Sequence, residues 1–456
     1  MVVRMLKKFL KDKSGNFGIL GAVAIVPILG MAGMAIDFTR AMQMRSELQN
    51  AADAAVVGAL SEKSAGMLEA INMPGNGVVK ISEKEGLNLF DAQLAKGSDA
   101  GDPDKKEAES DLEINERTVT ISVTKTGKDL RAELTYEMSI KTSLLHVIGK
   151  DSIKVSGKAV AVYQTQSFMD FYMLLDNTPS MGVGATPADV DKLILATKNV
   201  KDAGSKNCAF ACHIVSEAGI EDKTSNYNVA RNVGATIRID VVAKAVAALT
   251  TEAEKTQSYS NQFRMAAYTF GETAKDVKLL KVADLTSNLS KVKDGTKNIK
   301  LMSIPYQGYN NDQQTSFDNV LTKISDEITS PGNGNSSASP EKIVFFVSDG
   351  VGDSYKPKVC TKKLTGDRCQ EPIDLAFCTK LKDRGIKIAA LYTTYLPLPN
   401  NSWYNTWIKP FQAEIGPRMQ SCASPGMFFE VSPTQGIEAA MKTLFNKVVR
   451  SPRLAS

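Results

Sequence analysis

Five oxygen-bearing side chains are spaced as a metal site would need them. Asp176, Thr178 and Ser180 occupy alternate positions in DNTPSMG, directly after the apolar stretch FMDFYMLL. Asp349 lies in Ser348-Asp349-Gly350, directly after the apolar stretch IVFFV, and Thr315 lies between the two in Gln314-Thr315-Ser316. Asp176 and Asp349 bring carboxylates, and Thr178, Ser180 and Thr315 bring neutral hydroxyls. An all-oxygen set suits a hard divalent cation, Mg²⁺ first and Mn²⁺ or Ca²⁺ next. Alternate spacing lets one loop direct several oxygens at one ion. Few charged ligands leave that ion electrophilic, with a coordination position for water or for a partner's carboxylate. The same residue types also cap helices and close turns, which is their plainer role.

These residues need a scaffold that gathers them at one edge. From Phe168 onward, apolar strand-like runs alternate with helical ones. Strands are expected at Phe168–Leu175, Phe263–Phe270, Ile343–Val347, Ile386–Tyr392 and Met427–Val431. Helices are expected at Ile239–Thr250, Thr315–Ile328, Ala376–Arg384 and Gln435–Val449. This order predicts an α/β fold, a doubly wound and mostly parallel sheet over residues 168–450. In such sheets ligands sit beyond the carboxyl ends of the strands, and the Asp176 and Asp349 clusters fall there.

On these residues the chain resembles the metal-ion-dependent adhesion site of von Willebrand factor A domains. That family carries D-x-S-x-S after its first strand, a threonine in a middle loop and an aspartate after its fourth strand. The matching positions are Asp176, Thr178 and Ser180, then Thr315, then Asp349. Thr178 departs from the pattern by standing where serine is usual. The resemblance implies a Mg²⁺-type site that binds a protein partner.

The opposite end of the chain carries an anchor. Residues 17–36, FGILGAVAIVPILGMAGMAI, hold no charge. As a helix they span about 30 Å, the hydrocarbon thickness of a bilayer. Arg4, Lys7, Lys8, Lys11 and Lys13 precede the run, against Asp12 alone, and Asp37 follows it. Positive charge stays inside, so residues 1–16 form a basic cytoplasmic tail and the remainder is exported. No small-x-small cleavage site follows the apolar run, so the anchor is expected to stay in place. Residues 37–60 continue as helix, rich in Ala, Leu, Met, Gln and Glu. Residues 61–167 read as a polar insertion followed by a β-rich segment, with strands at Thr118–Val123, Ala132–Ile140 and Ile153–Tyr163. Residues 61–115, including GSDAGDPDKKEAESDLE, read as a loop or a variable insertion.

The six cysteines, 208, 212, 360, 369, 378 and 422, all lie beyond the anchor. An exported compartment favours disulfides, and six cysteines allow 15 pairings. Cys208, Cys212 and His213 offer a zinc-like cluster without a fourth ligand, so a structural disulfide is the better reading there. The net charge of +5 is spread along the chain without a basic stripe, which argues against nucleic acid. With two histidines in all, and two carboxylates at the site, the chain falls short of the ligand clusters of metal phosphoesterases. It is expected not to be an enzyme and to take no small-molecule substrate.

The N-terminal run from Ser14 to Leu60 is similar to the start of TadG-like proteins of tight-adherence (Flp) pilus systems. Gly33, Asp37, Arg45, Leu48, Gln49, Ala51, Ala52, Asp53, Ala54 and Ala55 fit that family's apolar span, G-x-x-x-D close and R-x-x-L-Q-x-A-A-D-A-A run. CAFACH, AFCTKLKDRGIKIAALYTTY and SCASPGMFFEVS are also like that family. The resemblance implies a single-pass protein of a bacterial inner membrane, its N-terminus cytoplasmic and its C-terminal domain periplasmic. It implies partners among pilus-assembly or envelope proteins. A metal-independent structural role for the exported domain is the alternative.

Overall fold

The computed structural model describes residues 16–98, 114–202, 204–259, 261–395, 397–399, 401–431 and 436–450. The basic tail and most of the charged stretch after Gly97 lie outside these residues. The contacts divide the chain into two compact units, Met1–Thr165 and Gln166–Ser456.

The first unit opens with α1 (Asn16–Ala59), an unbroken helix that accommodates Pro27. It is the one helix, among the described residues, long and apolar enough to cross a membrane. Its environment changes along its length. Val23, Ile25, Ile28, Leu29, Met31, Met34, Ile36 and Phe38 are all exposed. Further on, Leu48, Ala52, Ala55 and Ala59 are fully buried at helical spacing. This second half packs on an antiparallel sheet and on α3 (Lys80–Ser98). The sheet runs in the order β1 (Gly77–Val78), β2 (Ile114–Thr126), β3 (Asp129–Lys141) and β4 (Ser152–Gln164). β3 alternates buried and exposed residues, as a sheet with one covered face requires.

The stretch expected at residues 61–115 to be a loop or an insertion is not a loop where it is described. Its described part holds two helices, α2 (Ala65–Asn72) and α3. The inner face of α3 is Ser82, Gly86 and Phe90, buried four residues apart. Two of the three are small, so the stripe carries little hydrophobic signal. Close approach is what it provides instead. A Cβ on Gly86 would lie 3.2 Å from the Cβ of Ala59, and one on Gly66 would meet the backbone of Ser82.

The second unit is built on a six-stranded sheet, ordered β12-β11-β8-β5-β6-β7. The strands are β5 (Met169–Leu175), β6 (Phe263–Thr269), β7 (Leu280–Thr286), β8 (Glu341–Ser348), β11 (Lys387–Thr393) and β12 (Phe428–Val431). All neighbours are parallel except β6 and β7, so the sheet is mixed, with one antiparallel edge. β5 is buried at every position, as a strand covered on both faces must be. Phe171, Met173 and Leu175 share one core with α6 (Arg238–Thr256) and α11 (Ile437–Arg450). Tyr172 and Leu174 share the other with α8 (Phe317–Glu327), α9 (Leu375–Asp383) and α10 (Gln412–Cys422). Shorter helices α4 (Pro187–Ala196), α5 (Asn226–Asn232) and α7 (Leu289–Thr296) fill the connections. A hairpin, β9 (Val351–Tyr355) and β10 (Arg368–Pro372), rises directly after Asp349.

Candidate metal centre

β5 and β8 are parallel neighbours, with Leu175 opposite Val347. This register sends both chains out of the sheet at the same edge. Asp176 N still donates to Val347 O at 3.0 Å, so Asp176 begins the loop while held by the sheet. Its carboxylate is wholly buried. Oδ1 accepts from Thr178 N at 3.0 Å and from Thr178 Oγ1 at 2.7 Å. Oδ2 accepts from Ser348 Oγ at 2.7 Å. The first two contacts form a local side-chain turn of the kind aspartate favours. Pro179 then opens a single 3₁₀ turn, Pro179–Gly182, with Thr178 as its N-cap residue. The fixed φ of proline suits that position. Ser180 Oγ stands 3.4 Å from Thr178 Oγ1.

Thr315 is placed by backbone pairing. It donates N–H to Asp353 O at 2.7 Å and accepts from Asp353 N at 2.8 Å. This bridge moors the loop before α8 to β9. Ser180 and Thr315 line one cavity of about 260 Å³, together with Asp312, Asp353, Gln370 and Trp403.

Asp349 meets that loop at the Ser180 hydroxyl and is otherwise held by partners of its own. Its Oδ1 accepts from Val351 N at 3.3 Å, and its Oδ2 accepts from Arg238 Nη1 at 3.1 Å. Arg238 is 2% exposed and Asp349 0%. Arg238 also donates Nη2–H to Thr394 O at 3.1 Å and lies over the Tyr395 ring at 5.4 Å. Burial raises the Asp349 carboxyl above its ordinary range, and Arg238 opposes that rise. Burial, with the Asp349 charge nearby, pushes Asp176 up to about 7, against the hydroxyls of Thr178 and Ser348. Two carboxylates out of water repel one another, and a cation between them relieves this.

The structure thus brings Asp176, Thr178 and Ser348 into direct contact and puts Ser180 and Thr315 on one cavity wall. The Asp176 side fits a hard cation, because the Thr178 and Ser180 oxygens keep free lone pairs beside an anion. On the Asp349 side a cation is already built in. Arg238 and Ser348 are absent from the five-residue expectation. Arg238 left little signal in the sequence. It is the first residue of α6, where the helix dipole disfavours positive charge by under about 1 kcal/mol, too little to single it out.

The cysteines resolve in part. Cys360 pairs with Cys369, tying the hairpin, and Cys378 pairs with Cys422, tying α9 to α10. Cys208 and Cys212 are free thiols, which corrects the disulfide favoured for them. Phe210 between them pairs with Val183 as an antiparallel bridge. The zinc alternative fails on position: among the described residues Cys208, Cys212 and His213 do not converge as a metal-ligand group, and His213 Nδ1 lies 2.9 Å from Leu301 O.

Residues 15–62 match the family model described as putative Flp pilus-assembly TadE/G-like. The chain therefore carries a pilus-assembly segment of that type at its N-terminal end. No curated protein matches this sequence. Among solved structures, the pilus adhesin SpaC from Lactobacillus rhamnosus GG is 12% identical, with a TM-score of 0.34, over 77% of this chain and 35% of that one. The chain thus spans about a third of that adhesin's length. The vWF domain of the type V pili tip protein Mfa5 from Porphyromonas gingivalis is 10% identical, with a TM-score of 0.33, over 64% of this chain and 99% of that one. The PilB minor pilin from Streptococcus sanguinis is 10% identical, with a TM-score of 0.31, over 74% of this chain and 77% of that one.

Proposed function

We propose that this chain is a pilus-assembly or adhesion component anchored in a bacterial inner membrane. Its second unit, a doubly wound domain of von Willebrand factor A type, grips a protein partner in the periplasm. The observation that carries the reading is the Asp176–Thr178–Ser180 loop, set at the sheet edge where Asp349 also emerges and sharing a cavity wall with Thr315. Asp176, Thr178, Ser180 and Thr315 would hold Mg²⁺, or Mn²⁺ or Ca²⁺ in its place, with Asp349 behind them. A bound divalent ion supplies an electrophilic position for a partner's carboxylate. The protein's own share is to hold Asp176 by Thr178 and Ser348, and to shape the adjoining cavity. The TadE/G-like segment supports placing the partner among pilus-assembly proteins.

The Arg238–Asp349 pair favours a second reading, a metal-independent interaction domain in the cell envelope. There Arg238 neutralises the site by itself. A gene deletion complemented with wild type or with Asp176→Ala separates the readings. Loss of surface attachment on deletion, restored by wild type and not by Asp176→Ala at equal protein level, supports the metal-bridged contact. Full restoration by Asp176→Ala supports the metal-independent reading, and normal attachment in the deletion strain refutes both.

A further inference from the structure

The turn between β3 and β4 folds back onto α1. Asp37, 3% exposed, accepts three backbone N–H groups from that turn. They are Ser143 at 3.0 Å, Leu144 at 2.9 Å and Leu145 at 2.8 Å. Arg40 Nη1 adds a bond to Ser143 Oγ at 2.7 Å. Three donors on one carboxylate let Asp37 stay charged while buried. The same contacts fix where the turn sits along the helix.

That position is the decisive point. A Cβ placed on Gly33 would lie 2.8 Å from the Cβ of Leu144. Gly33 is four residues before Asp37, a rise of about 6 Å. Leu144 therefore reaches past Asp37, back along the apolar part of the helix. Leu144 is 45% exposed there, on the stretch that also exposes Met31, Met34, Ile36 and Phe38. Leu145 is buried against the helix. Around this tip stand Arg40, Lys141, His146 and Lys150, against Asp37, which the turn itself covers, and Asp151. Apolar residues at the tip with cations behind them match an anionic lipid surface, acyl chains below and phosphates above.

We infer that the Ser143–Ile148 turn is a second membrane contact, with Leu144 inserted at the lipid boundary beside α1. The sheet of the first unit is then tethered at the bilayer surface at two points. This rests on α1 crossing the membrane and is independent of the metal site. Gly33 is what allows the turn to approach so closely.

The test uses the full chain reconstituted in phosphatidylethanolamine/phosphatidylglycerol vesicles. Leu144→Trp and Val162→Trp are compared with their parent in vesicles with and without brominated acyl chains. Val162 is exposed and pairs with Arg131, toward the far end of the same hairpin. The added emission of Leu144→Trp is expected to be quenched by bromine, and that of Val162→Trp is not. Equal quenching at both positions, or none at Leu144→Trp, overturns the inference. A second readout needs no substitution. Wild-type protein is photolabelled from a diazirine-bearing acyl chain and mapped by mass spectrometry. Label in both the apolar part of α1 and residues 143–148 supports the contact, and label in the helix alone overturns it. Release of the protein by carbonate washing refutes the anchor itself, whereas retained protein with an unlabelled turn refutes only the second contact.

Discussion

Arg238 and Asp349 form a buried ion pair, 3.1 Å apart, at the edge where the candidate metal loop leaves the sheet. The same guanidinium reaches Thr394 at the end of β11, so one side chain joins α6, β8 and β11. Removing one member of a buried pair leaves an uncompensated charge, at a cost of about 3–5 kcal/mol. Arg238→Met is therefore expected to lower stability by that order in urea unfolding of the full chain. Arg238→Lys should recover part of the loss, because an ammonium lacks the fork that reaches two acceptors. Added Mn²⁺ should raise the midpoint of Arg238→Met more than that of wild type, since the freed carboxylate strengthens the oxygen site.

Thr178 is a sharper probe of the loop than its departure from serine suggests. Its hydroxyl donates to Asp176 at 2.7 Å, and its methyl is buried. Thr178→Val keeps the shape and removes the donor. A hydrogen bond to a charged group contributes roughly 1.5–3 kcal/mol, and a loss of that order is expected. Thr178→Ser keeps the donor and should cost about 1 kcal/mol for the lost methyl. Thermal unfolding of both variants checks the order.

The two disulfides should differ in weight. Cys378–Cys422 has a sequence separation of 44 and Cys360–Cys369 one of 9. Loop-closure entropy predicts about 4 kcal/mol for the first and about 3 kcal/mol for the second. Replacing Cys378 and Cys422 by serine should lower the unfolding midpoint more than replacing Cys360 and Cys369. The reverse order would place strain, not chain entropy, in control.

Cys208 and Cys212 should behave as shielded thiols. Burial raises both, and Cys212 is pushed up to about 12. The thiolate is the reactive form, so a raised value suppresses alkylation at pH 8 and lets it climb only at higher pH. Iodoacetamide should label the native protein far more slowly than the unfolded one. A thiol assay in denaturant without reductant should find these two cysteines and not the four paired ones.

Much of this geometry was legible in the sequence, for definite reasons. β5 and β8 are covered on both faces, so they read as unbroken apolar runs with their polar clusters just beyond. The helix through residues 17–60 was legible because its composition stays helical where its charge changes. The lapses share a cause. α3 buries Ser82 and Gly86, β7 is a half-exposed edge, and Arg238 is a charge at a core position. Each is set by a neighbour distant in sequence, and local pattern does not report it. The disulfides belong to the same class, because pairing follows from where α9 and α10 pack.

The proposed function turns on a divalent-ion site at the Asp176 loop. Mn²⁺ titration of the full chain in nanodiscs, read by the electron paramagnetic resonance signal of free Mn²⁺, tests it most directly. One bound ion per chain is expected in wild type, retained in Thr178→Ser, displaced by Mg²⁺ and lost in Asp176→Ala. Wild type and Asp176→Ala with the same free Mn²⁺ at every concentration would contradict it.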